Sequence, residues 1–204
     1  EDAGKTVIVS LENRCLLPVV LRSSFVHGIY ADSSCYTRDE LWTALLKDAG
    51  EAHLAGKKFY YILPAVFRSR TAAFYRENIE HLKALPLDGF MAKSYDAPAY
   101  VRQELGADTP LILDHRLDSW NSAARDVFLQ LAPERDTVPL ELNRSELFAR
   151  DNHHSEAMVY GYLPLMTSAQ CVHANTEKCD RKRGILYLKD RYGKYFPVKN
   201  NCTE

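Results

Sequence analysis

Seven short runs rich in β-branched and aromatic residues recur along the chain, at residues 6–10, 26–32, 58–63, 89–93, 111–114, 137–141 and 157–161. Most are near-continuously apolar, the pattern of strands covered on both faces rather than on one. Between them lie stretches with helical spacing. Residues 37–46 open with Thr37 as an N-cap and carry Glu40 at the capping-box position. Residues 69–85 place Phe74, Ile79 and Leu82 at helix-compatible spacings, and residues 119–131 set Ala123, Val127, Leu129 and Leu131 near one side. Strand starts fall roughly 20 to 30 residues apart, the length of one βα unit of a (β/α) barrel. The runs lack the Gly-rich phosphate loop that follows the first strand of a dinucleotide-binding sheet, so the pattern predicts a TIM-barrel-like α/β domain of about seven parallel strands.

The pattern changes after Tyr160. A segment from Leu163 leads to Cys171, and a polar stretch follows with Lys178, Arg181, Lys182 and Arg183. Residues 185–188 and 195–198 then read as a β-hairpin turning through Asp190-Arg-Tyr-Gly193, where Gly193 supplies a positive φ. The expected division is a barrel-like domain over residues 1–168 and a cysteine-bearing loop with its hairpin over 169–204. Cys202 stands two residues from the end of the sequence. A working cysteine rarely sits on a frayed end, so the expectation is a piece cut from a longer protein.

Composition adds bounds. Of 204 residues, 46% are hydrophobic and 26% charged, an ordinary globular balance, and the formal net charge of -1 leaves no global field for nucleic acid or an anionic membrane. No apolar run reaches the length of a membrane span and no signal-peptide pattern opens the chain. Five widely spaced cysteines do not form a disulfide framework, which points to a reducing, cytoplasmic setting.

Strand ends carry function in a (β/α) barrel, and the polar residues there are Asp32, Lys93, Asp114, His115, Glu141, Asn143 and Tyr160. Some of these have a simpler use: Asn143-Arg-Ser-Glu146 can cap the helix after the sixth strand, and Asp118 the helix after the fifth. A carboxylate and an imidazole at a pocket rim suit proton transfer, which makes Glu141 and His115 the catalytic candidates. Asn121, Asn143, Lys93 and Tyr160 are the candidates for substrate binding. Cys171, Cys179 and Cys202 are candidate ligands for an iron–sulfur cluster or zinc. Three thiols leave the set one short, and the fourth ligand comes from beyond Cys202 or from His173. The basic run is ordinarily a solvated loop, and its other use is contact with phosphate such as an RNA backbone.

The segment Glu156-Ala-Met-Val-Tyr-Gly-Tyr-Leu-Pro-Leu-Met-Thr-Ser-Ala-Gln-Cys171 resembles the signature of the U32 family, the collagenase-like peptidases of unassigned catalytic type. Leu188-Lys-Asp-Arg-Tyr-Gly-Lys-Tyr-Phe-Pro-Val198 followed by Cys202 is similar to the hairpin of longer members. Val138-Pro-Leu-Glu-Leu-Asn143 with Glu146-Leu147, Trp120-Asn121-Ser122, Leu63-Pro64, Asp88-Gly-Phe90 and Val9-Ser-Leu-Glu12 also fit, so the resemblance spans nearly the whole chain. It resembles the C-terminal part of long, multi-domain bacterial members. The resemblance implies a barrel and, by the family's name, a peptidase. Its alternative is an oxygen-independent hydroxylation of RNA bases or a quinone precursor that depends on a four-cysteine [4Fe-4S] cluster. A further alternative is a non-catalytic barrel that recognises RNA. Such a cluster would use Cys171, Cys179 and Cys202, with zinc the second choice, and an isolated fragment would lack it. The implied partners are the remaining domains of the parent chain and a peptide or RNA substrate, with no membrane. No hydrolytic motif such as Gly-x-Ser-x-Gly or His-Glu-x-x-His is present, so the sequence by itself does not decide whether this is an enzyme.

Overall fold

A computed structural model describes residues 5–176, 179 and 183–201. The chain forms two compact units, Glu1–Leu163 and Pro164–Glu204. The first is built on a parallel sheet of β1 (Ile8–Leu11), β2 (Gly28–Asp32), β3 (Lys58–Ile62), β4 (Gly89–Ala92), β5 (Leu111–Leu113), β6 (Arg135–Thr137) and β7 (Ser155–Glu156), each strand pairing with the next in the chain. That sequential order, with helical returns that include α1 (Leu17–Arg22) and α5 (Asp96–Tyr100), is the barrel-like α/β topology the spacing predicts. The sheet is open, since the strand order runs linearly from β1 to β7 among the described residues.

The two faces of the strands bury different things. Ile29, Ala31, Phe59, Tyr61, Leu63, Phe90, Ala92, Leu111 and Leu113 join the large core, together with Leu41, Leu45, Ala49 and Ala52 of α2 (Leu41–Leu54). The alternate residues Tyr30, Tyr60, Ile62, Met91 and Ile112 form a separate, smaller core with Ile8 against it. Period-two alternation thus divides each apolar run between a helix-facing side and a concave side.

Several boundaries differ from the sequence reading. The sixth and seventh strands lie about two residues earlier than the apolar runs at 137–141 and 157–161, because Arg135, Asp136 and Glu156 are strand residues whose charges are paired inside the fold. Asp136 accepts from Ser119 Oγ (2.8 Å) and Ser155 Oγ (2.6 Å) and is ion-paired with buried Arg150, so the outer face of β6 is ionic where that of β2 to β5 is apolar. The expected single helix at 69–85 is two, α3 (Ser69–Glu77) and α4 (Ile79–Ala84), broken at Asn78. Only half of the Thr37 capping box forms: Glu40 accepts from Thr37 N (3.2 Å), while the helix itself starts at Leu41. After β5, Asn121 rather than Asp118 caps α6 (Ser122–Leu129), and Asp118 takes a left-handed conformation (φ 54°). At the first position of β4, Gly89 (φ 152°) is required, since a Cβ there would lie 2.6 Å from Pro110 O.

The second unit contains α8 (Val172–Thr176) and an antiparallel hairpin of β8 (Gly184–Lys189) and β9 (Tyr195–Asn200). Asp190 closes the turn by accepting from Tyr192 N and Lys194 N, both at 2.8 Å, and Gly193 has φ 81° as its position predicts. No helix among the described residues is long and apolar enough to cross a membrane.

Candidate functional site

The concave face of the first unit gathers charge at the carboxyl ends of the strands. Extending the strand registers by one residue aligns Lys93 after β4, Asp114 after β5, Thr137 of β6 and Glu156 of β7 in one row. Below that row lies the apolar floor of Tyr60, Ile62, Met91 and Ile112. In a barrel-like sheet this rim is where reacting groups collect.

Two ion pairs organise the rim. Lys93 Nζ donates to Asp32 Oδ2 across the end of β2, with side chains only 9% and 10% exposed. Burial by itself would push the Asp32 carboxyl up. The charge and hydrogen bond of Lys93, with a further bond from Ser34 N (2.9 Å), more than offset this and hold it below its usual range. The second pair is Arg135–Glu156. Glu156 accepts from Arg135 Nε (2.9 Å), Tyr30 Oη (2.6 Å) and Thr137 Oγ1 (3.0 Å). The Arg135 guanidinium also lies over the rings of Tyr60 (5.0 Å) and Tyr30 (5.9 Å). Burial, and then the Glu156 charge, raise the Tyr30 phenol well above its usual range, so it stays a hydrogen-bond donor at physiological pH.

The residues expected from sequence fall into three groups. Lys93 and His115 are at the rim; His115 Nδ1 is 3.2 Å from Asp114 Oδ1, with its side chain 15% exposed. Asp114 also accepts from Arg116 N (3.1 Å) and Arg116 Nε (2.9 Å). Asn121 and Asn143 spend their side-chain oxygens on helix ends. Asn121 accepts from Ala124 N (2.9 Å), and Asn143 forms a complete capping box with Glu146 on α7 (Arg144–Ala149). Glu141 is exposed in the turn beyond β6, and Tyr160 is 95% exposed beyond β7.

Arg135 and Tyr30 were not singled out from the sequence, and Glu156 only as the head of a signature. One signal was available: Tyr30-x-Asp32, Met91-x-Lys93, Ile112-x-Asp114 and Arg135-x-Thr137 share an i, i+2 step from floor to rim. Ser94 was also missed. Its hydroxyl, next to Lys93, is buried without a hydrogen-bond partner among the described residues.

In the second unit, Cys171 Sγ lies 3.1 Å from Asn200 Oδ1, which ties the start of α8 to the end of β9. Cys179 is exposed. Cys202 lies outside the described residues, as does the side chain of His173. Among the described residues no group of three or more His, Cys, Asp or Glu is placed to hold a metal ion.

No curated protein matches the chain. The sequence model of Peptidase family U32 matches residues 37–185, which run from the approach to α2 through Lys93 and the Arg135–Glu156 pair of the rim to the first residues of β8. The match takes in well over half of the 204 residues, and the chain belongs to Peptidase family U32.

Proposed function

We propose that the rim of the sheet holds a substrate for an oxygen-independent hydroxylation, of an RNA base or a quinone precursor, and that an iron–sulfur cluster on the cysteine-bearing unit serves the redox part. The observation that carries this reading is the state of the rim carboxylates. Glu156 is neutralised by Arg135 and accepts three hydrogen bonds, and Asp32 is ion-paired with Lys93. The Asp32 carboxyl, held below its usual range by Lys93, is a weak base toward water, and Glu156 has its oxygens taken up by donors, which is the opposite of what general-base hydrolysis needs.

The donor set suits the group. Thiolates are the ligands that iron–sulfur clusters take, and the contact between Cys171 and Asn200 draws Cys171 to the strand end that Cys202 follows by two residues in sequence. Cys171, Cys179 and Cys202 would hold the cluster, with a fourth ligand from His173 or from beyond Cys202. When bound, it supplies one-electron transfer. Replacing C–H by C–OH with oxygen from water releases two electrons and two protons, and the electrons would leave one at a time through the bound cluster to a two-electron acceptor supplied from outside the chain. The protein's own task at the rim is to orient the substrate and take up those protons. Lys93 would donate to the substrate and His115 would accept a proton at Nε2, with Glu141 the other proton-transfer candidate and Asn121, Asn143 and Tyr160 the further candidates for substrate contact. Reduced thiols of this kind belong in the cytoplasm.

Peptide hydrolysis is the second reading, favoured by the family's description and by the approach of His115 to Asp114, since a carboxylate that orients an imidazole is a general-base arrangement. Anaerobic purification of the intact protein separates the two. Iron and sulfide in equal amounts with visible absorbance, lost in Cys171→Ala and Cys179→Ala, is the expected result. A colourless, iron-free protein with intact thiols would sink the cluster reading. Peptide cleavage that survives both cysteine variants but is lost in His115→Ala or Glu141→Ala would establish the peptidase.

A further inference from the structure

The hairpin of the second unit carries a surface that neither the cluster nor the rim accounts for. Its register pairs Ile185 with Lys199, Tyr187 with Pro197 and Lys189 with Tyr195, and alternation puts these six residues on one face. That face is open to solvent: Tyr187 is 63% exposed and Tyr195 62%, Lys189 and Lys199 are exposed as well, and Lys189 Nζ lies 5.3 Å from the Tyr195 ring centroid on a flexible side chain that an arriving base would displace toward its phosphate. The opposite face holds the better-covered Leu186 and Val198. At the tip Tyr192 is 73% exposed, with the Arg191 guanidinium 4.8 Å above its ring.

Charge is concentrated here. Residues 184–200 contain Lys189, Arg191, Lys194 and Lys199 against a single acid, Asp190, a balance of +3 in a chain whose net charge is -1. Asp190 is itself spent on closing the turn. Exposed aromatic rings interleaved with cations are poorly explained by folding, because solvent-facing tyrosines add little to a two-stranded ribbon. They suit a polyanion that also offers flat rings. Tyr187 and Tyr195 are diagonal neighbours, about 7–8 Å apart, or roughly two steps of the ~3.4 Å rise of stacked bases.

We propose that the Tyr187, Lys189, Tyr195 and Lys199 face of the hairpin binds single-stranded nucleic acid, with bases stacked on the two tyrosine rings and phosphates held by the lysines. An acidic peptide would use the lysines without needing the rings, and a duplex keeps its bases stacked away from them. The site stands apart from the chemistry assigned to the rim: a protein without iron and without hydroxylase or peptidase activity would still bind.

The test is fluorescence anisotropy with a labelled uridine 12-mer and the intact chain. Tyr187→Ala and Tyr195→Ala should each weaken binding roughly tenfold, while the Phe variants stay within about twofold, as stacking alone requires. The slope of log K against log salt should fall by about 0.7 for each of Lys189→Ala and Lys199→Ala. All four side chains are exposed, so unchanged circular dichroism and melting are expected and serve as the folding control. Tyrosine variants that bind as the parent does, or equal affinity for duplex or inorganic polyphosphate, would overturn the proposal and leave a general polyanion surface.

Discussion

Tyr30 and Glu156 are separated by 126 positions in the chain, yet the phenol donates to the carboxylate at 2.6 Å. One residue is on β2 and the other on β7, five strand steps apart in the sheet. Flat strands spaced about 4.8 Å apart would put them roughly 24 Å from each other. The bond therefore records how tightly the sheet curls, and Arg135 lies at the meeting point. Tyr30→Phe removes one donor and should cost about 1–2 kcal/mol. Arg135→Met strips the partly buried Glu156 of its cation and should cost more, up to about 3 kcal/mol. Urea unfolding of both variants measures this, and equal costs would mean that Arg135 is not the residue neutralising Glu156.

The Asp32–Lys93 pair predicts an acid limit. The folded-state pKa of Asp32 is lowered, so its contribution is complete above the unfolded value and is lost as pH falls through the folded one. Lys93→Met should cost about 3–5 kcal/mol at neutral pH by leaving a buried carboxylate alone, and the double change with Asp32→Asn should recover much of that. Denaturant midpoints from pH 6 down to pH 3 should show the advantage of the parent over Asp32→Asn shrinking below about pH 4. A constant gap across that range would refute the assignment.

Asn121 and Asn143 each cap a helix, and each is also a candidate to touch substrate. Removing a cap costs about 0.5–2 kcal/mol. Asn143→Ala and Asn121→Ala should therefore lower stability by that much, whereas Asp in place of either keeps the cap. Substrate affinity measured with the Asp variants isolates the second role: weaker binding at unchanged stability assigns the side-chain amide to the substrate.

Gly89→Ala should destabilise by more than about 1 kcal/mol, because φ is 152° and the new methyl would press on Pro110 O and Cβ, at 2.6 and 2.8 Å. Gly50, in the middle of α2 with nothing near its Cβ position, is the control. Gly50→Ala should be neutral or slightly stabilising by the same thermal melts.

How much of this was legible follows from which forces act locally. The first five strands stood out as apolar runs because both of their faces are covered by hydrophobic residues. The capping box at Asn143 and the turn at Gly193 were legible because each is closed by residues within four positions. The last two strands were displaced because β6 and β7 answer buried charge with buried charge, and Arg135 pairs with partners far away in the chain. The break at Asn78 was equally invisible, since the spacing of Phe74, Ile79 and Leu82 continues through it.

The sequence by itself determined the family, the seven parallel strands in chain order, the terminal hairpin and the residue types available for chemistry. These depend on periodicity and on short-range turn and capping bonds, which neighbouring residues settle among themselves. Only the tertiary structure decided which charges meet: Asp32 with Lys93, Arg135 with Glu156 and Tyr30, Arg150 with Asp136. Those pairings depend on the curl of the sheet, which closes distances that no spacing along the chain encodes.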